Sequence, residues 1–156
     1  MTTQAETLRR QLLGWAPACE LIEPGVDLGR DLVLEDRPSG RDLALVDKID
    51  CLGQSLAIAL TTLLGSDLFN TEFGFDGLNA LTEGGSPVMT RERVRVAVVN
   101  VLRKDPRVRG ILDVKLEDGR LDPVPAGSRV LDVRVSFETV TGDPVTTDLG
   151  RVVPGV

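Results

Sequence analysis

Two carboxylates, Glu72 and Asp76, lie four residues apart in a segment that also carries Phe69, Phe73 and Phe75, three of the chain's four phenylalanines. Paired carboxylates beside apolar rings are what glycoside hydrolysis needs. Burial raises the pKa of one, which then donates a proton, while the other stays ionised as nucleophile or base. With 24 acidic residues in the chain, such a pair also arises without function, and no polar partner accompanies it. A second constellation is basic. Arg91, Arg93, Arg95, Arg103, Lys104, Arg107 and Arg109 are seven of the 18 cationic residues, with only Glu92 and Asp105 among them. The patch could neutralise phosphates, but it has no interleaved aromatics. So polarised a charge distribution better suits an oriented contact with an acidic neighbour.

The third constellation is Asp105-Pro106-Arg107, between the apolar run RVRVAVVNVL and the strand-like GILDVKLED. Proline lacks an N–H and steers the preceding residue away from helix, so the triplet ends a helix. Taken alone, that leaves only solvated charges. A rigid corner between helix and strand also aims the Arg107 fork in one direction. There it could take a carboxylate or a set of backbone carbonyls from a partner.

Composition narrows the classes. The chain has 156 residues, 42% of them hydrophobic and 27% charged, enough for one ordinary globular core. Its net charge of −6 argues against general nucleic-acid binding. Histidine is absent, which removes the usual base near neutral pH and the commonest metal ligand. Cys19 and Cys51 match no metal spacing and read as two reduced thiols. The glycines around Gly74, Gly77, Gly84 and Gly85 fit neither a P-loop nor a dinucleotide fingerprint, so no cofactor and no metal are expected. No stretch reaches the roughly 20 apolar residues of a membrane span. MTTQAETLRRQLLGW lacks the apolar core of a secretory signal, so a cytoplasmic protein is expected.

The elements that must position these groups follow from periodicity. Leu8, Leu12 and Trp15 predict a helix over 5–15, and RDLVLED a short strand, with RPSG as a turn. Residues 1–46 therefore read as a helix and extended arm, and 47–156 as the main domain. Ile49, Leu52, Leu56, Ala59, Leu60 and Leu63 predict a core helix, started by Asp47 or Asp50 and ended by Gly65. The segment 66–89 reads as a loop pinned by its phenylalanines, with one helical turn near 77–81. Thr90 is the expected cap of a second helix, with Glu92 in its first turn and a stripe of Val94, Ala97, Val98, Val101 and Leu102. From Ile111 the period becomes two. Leu112, Val114 and Leu116 alternate with charges, then Leu131, Val133, Val135 and Phe137 do the same, and VTTDL returns as a third strand after TGDP. The predicted class is α+β, two core helices on a small antiparallel sheet.

This order resembles the baseplate wedge, or sheath-initiator, family of contractile phage tails and phage tail-like injection systems. The resemblance covers residues 48–140. It rests on Thr61-Thr62 with Gly65, on Glu72-Phe73-Gly74, and on Asp105-Pro106-Arg107-Val108 followed by ILDVKL. The family's triplet is Glu-Pro-Arg, so Asp105 carries the same charge on a shorter arm. Gly65-Ser66-Asp67 and Thr71 depart from the family's charged Gly-Glu-Arg and its proline.

The resemblance implies a fold similar to the terminal domain of the tail sheath protein and a non-enzymatic, structural role. Partner-binding residues would be Asp105, Pro106 and Arg107, with Arg103 and Arg109, and the Glu72, Phe73 and Gly74 of the loop. The implied partners are neighbouring wedge proteins, the sheath protein and the hub and spike complex, in roughly six copies per assembly. Assembly would occur in the cytoplasm. Two rival readings are a peptidoglycan hydrolase using Glu72 and Asp76, and a nucleic-acid-binding module using the basic patch.

Overall fold

Valines and leucines at helical spacing between two charged faces form the longest helix, and its buried side is the predicted one. Val94, Ala97, Val98, Val101 and Leu102 are all buried. The computed structural model describes residues 3–22, 29–77, 86–119 and 130–152. Among them the architecture is α+β, with three helices and four small antiparallel sheets. The chain divides into two compact units, Met1–Gln54 and Ser55–Val156. That division falls inside a helix.

In the first unit, α1 (Gln4–Leu13) opens on a capping box. Thr3 Oγ1 accepts from the Glu6 N–H at 3.3 Å, and Glu6 Oε2 accepts from the Thr3 N–H at 2.9 Å. The stripe expected on this helix is wrong: Leu8, Leu12 and Trp15 are exposed, Trp15 lies outside the helix, and Leu13 is the buried residue. The segment expected to be an extended arm instead pairs with itself. Strand β1 (Trp15–Pro17) pairs with β6 (Leu45–Asp47), β2 (Cys19–Leu21) with β3 (Arg30–Leu32), and β4 (Leu34–Arg37) with β5 (Gly40–Leu43). The last pair closes through the predicted RPSG turn, where Gly40 takes φ +118°. Gln54 ties β1 to β2, accepting from the Cys19 N–H at 2.8 Å and donating to the Pro17 carbonyl at 2.9 Å. Neither Cys19 nor Cys51 forms a disulfide.

Helix α2 (Lys48–Thr61) buries Leu52, Leu56, Ala59 and Leu60 as its spacing predicted, and also Cys51 and Ala57. Ile49 and Leu63 are exposed. The helix stops before Gly65: Thr61 and Thr62 turn their hydroxyls back on the Ala57 and Ile58 carbonyls at 2.8 to 3.1 Å, and the Thr62 carbonyl accepts from outside the helix, from the Phe75 N–H at 2.8 Å. The turn expected over 77–81 lies outside the described residues beyond Gly77.

Helix α3 (Pro87–Lys104) starts earlier than predicted. Ser86, not Thr90, caps it by accepting the Met89 N–H at 3.3 Å, and no acid sits in its first turn. Pro87, which read as a loop breaker, occupies the first turn, where a missing N–H costs nothing.

The C-terminal sheet is the predicted meander in the order β7-β8-β9, from β7 (Val108–Gly119), β8 (Val130–Thr139) and β9 (Pro144–Val152). Leu131, Val133, Val135 and Phe137 are buried as expected, and α3 packs on β7. Leu112 departs from the expectation. Ile111 pairs with Phe137 and Asp113 with Ser136, so Leu112 is an extra, bulged residue and is 64% exposed. Leu112→Ala should therefore change unfolding free energy by less than about 0.5 kcal/mol. The same substitution at buried Leu131 should cost about 2 to 5 kcal/mol. Urea unfolding midpoints of the two variants check this.

Candidate functional site

The loop after α2 and the corner after α3 are brought together in the second unit. Residues 62–65 run alongside 73–75. The Phe75 N–H donates to the Thr62 carbonyl at 2.8 Å, the Leu64 N–H to the Phe75 carbonyl at 3.2 Å, and Leu63 bridges Phe75 in parallel. Gly74 fits into this join at φ +113°. A Cβ there would lie 2.7 Å from the Thr62 carbonyl oxygen and 2.9 Å from the Leu63 carbonyl. Phe75 is wholly buried and Phe73 half-buried, so they pin the loop as expected, but Phe69 does not.

At the corner, the Asp105 N–H donates to the Leu102 carbonyl and the Val108 N–H to the Asp105 carbonyl, at 3.3 and 3.1 Å. The Arg107 carbonyl accepts from the Val140 N–H at 3.0 Å, fixing the corner to the end of β8. The Arg107 fork closes on its own corner. Its Nε donates to Asp105 Oδ1 at 2.9 Å and its Nη2 to Oδ2 at 2.6 Å, while its backbone N–H also reaches Oδ1 at 2.9 Å. The two side chains are 22% and 15% exposed. Burial works to raise the Asp105 pKa, but the hydrogen bonds and charge of Arg107 outweigh it and hold the carboxyl below its ordinary value. The expected arginine aimed at a partner is thus already gripped by Asp105. The corner therefore presents a preformed ion pair on a hydrogen-bonded turn.

These two segments share one cleft of about 580 Å³. Glu72, Phe73 and Gly74 stand on one side, Asp105, Pro106 and Arg107 on another, with Leu56, Ala59 and Val101 among its apolar lining. Lys104 Nζ donates to the Glu72 carbonyl at 2.8 Å and ties loop to corner. Sequence reasoning read Leu56 and Ala59 as core alone and did not single out Lys104 as a tether. Nothing in local spacing announces a lysine reaching a carbonyl 32 residues away.

The remaining candidates lie elsewhere. Asp76 and Arg103 line a second cleft of about 770 Å³, with Arg93, Glu92 and Asn100. Glu72 lines the first cleft and Asp76 the second, and Gly74, Val101 and Lys104 line both. The basic patch is partly neutralised within the chain. Arg95 pairs with Glu92 at 2.6 Å, Arg107 with Asp105 at 2.6 Å, and Arg109 with Glu138 at 3.3 Å. That lowers its worth as a phosphate surface. Among the described residues, no group of three or more acidic or thiol side chains is placed to hold a metal, and no helix is long and apolar enough to cross a membrane.

A groove of about 630 Å³ follows the outer edge of β7, bounded by residues 111–117 with Arg95 and Val99 of α3. Among the described residues no strand pairs with that edge. No family model matches the chain, and no curated protein does.

Proposed function

We propose that this chain is a non-enzymatic structural component of a contractile phage tail baseplate or of a related injection system. In this reading it links the wedge and hub to the first sheath layer and initiates sheath assembly, in several copies, after cytoplasmic assembly of the particle. One observation carries the reading. Glu72-Phe73-Gly74 and Asp105-Pro106-Arg107, on which the family resemblance rests, are far apart in sequence yet line a single cleft. A cleft with an apolar lining and fixed polar groups at its mouth is a protein-docking geometry. The edge of β7 that no strand among the described residues pairs with supports the second half of the reading, since such an edge accepts a partner strand. The likeness to the sheath protein's terminal domain belongs to the same proposal.

The test is incorporation into particles. Glu72→Arg reverses a charge at the cleft mouth, and the Glu72 side chain is exposed, so the fold should survive. Arg107→Ala removes the ion pair as well and needs its thermal unfolding recorded in parallel. Both should lose incorporation by tenfold or more, about 1.4 kcal/mol of docking free energy. Particles that take up a folded Glu72→Arg chain at the normal level would sink the docking claim. Neighbouring genes without sheath, tube or spike would count against the wider reading.

A further inference from the structure

We propose that the tip of the loop, Leu68-Phe69, is a knob that enters the second cleft of another copy of this chain, so that copies associate head to tail. Leu68 and Phe69 are 87% and 101% exposed. They are not on a fraying strand of loop. Asp67 Oδ1 accepts from the backbone N–H groups of Phe69 and Asn70 at 2.8 and 3.2 Å. The Ser66 N–H donates to the Leu63 carbonyl at 3.1 Å and the Phe73 N–H to the Asn70 carbonyl at 3.0 Å. Two large apolar side chains are thus held out into water on a fixed turn. Such a display marks an interaction site, and its preorganisation lowers the entropy lost on docking.

Charge selects the occupant. Asp67 and Glu72 flank the knob on the same loop. The second cleft offers the converse, an apolar lining that includes Leu64, Val96 and Val101 beside the cations Arg93, Arg103 and Lys104. Its own acids are Asp76 and Glu92, and Glu92 is held by Arg95 at 2.6 Å. An acid-flanked apolar knob and a base-rimmed apolar cleft on one chain are complementary. Because they are different surfaces, each docking leaves one knob and one cleft open. Growth then continues until a ring closes or a filament forms. The inference stands apart from the baseplate reading, because purified chain alone tests it.

The experiment is sedimentation velocity on the full chain, from micromolar to near-millimolar concentration. The average mass should rise past that of a dimer. Phe69→Asp, and separately Arg93→Glu with Arg103→Glu, should each weaken association by about thirtyfold or more, with unchanged far-ultraviolet circular dichroism. Mixed in equal amounts, the two variants keep one intact cleft and one intact knob, and should pair and stop at a dimer. A monomer at every concentration overturns the proposal. So does a dimer indifferent to both substitutions, or a mixture that sediments as the sum of its parts.

Discussion

Gly74→Ala is expected to destabilise the chain by about 3 kcal/mol or more, among the largest effects of any single methyl group here. Two causes act together. The backbone at φ +113° lies where L side chains are strained, and the new Cβ would press on the Thr62 and Leu63 carbonyls. Those atoms are backbone, so they move only if the hydrogen bond from the Phe75 N–H to Thr62 gives way. For a chain of this size the thermal midpoint should fall by about 10 °C. Calorimetry checks it. Gly142→Ala is the control, because it shares a positive φ of +82° but has no atom within 4 Å of the added Cβ. It should lose only the strain of its backbone, about 1 kcal/mol. Equal losses at both positions would mean that the close approach at Gly74 contributes nothing.

Asp105→Asn should cost about 2 kcal/mol at neutral pH, because it removes a charged acceptor from three hydrogen bonds given by one residue. The pH dependence follows from the direction of the shift. The folded Asp105 carboxyl titrates below its ordinary value of 3.8, so as pH falls the unfolded chain takes up the proton first. The stabilisation is complete above the unfolded pKa and disappears as pH drops through the folded one. The gap between wild type and Asp105→Asn should accordingly be full at pH 7 and shrink below about pH 4. Urea unfolding of both proteins across that range measures it. A gap that persists unchanged in strong acid would mean that the variant acts through packing rather than charge.

What the sequence disclosed and what it hid have separate physical grounds. The buried faces of α2, α3 and β8 were legible because each is a run of apolar residues at one period, and burial follows the period. The start of α3 was hidden by the double meaning of proline, a breaker inside a helix and a good residue at its first turn. Leu112 was misplaced because a bulge inserts one residue without any compositional mark, and every alternation upstream of it reverses. In the first unit RDLVLED was legible as a strand, but β1, β2, β5, β6 and all the pairings were missed, because strands of three or four residues with few buried side chains carry little hydrophobic signal. At the candidate site, residue types were readable but not their meeting. That Arg107 spends its fork on Asp105 is a fact of turn geometry.

The bulges of β7 also bear on how the protein survives before it meets anything else. An unpaired strand edge invites identical chains to zip together, and that route ends in aggregate rather than assembly. Here β7 carries two register shifts in its pairing with β8, which distort the strand, and beyond the second the exposed residues Asp113, Lys115 and Glu117 alternate in sign. The irregularity that spoiled the simple alternation thus also makes β7 a poorer template for a straight, regular strand.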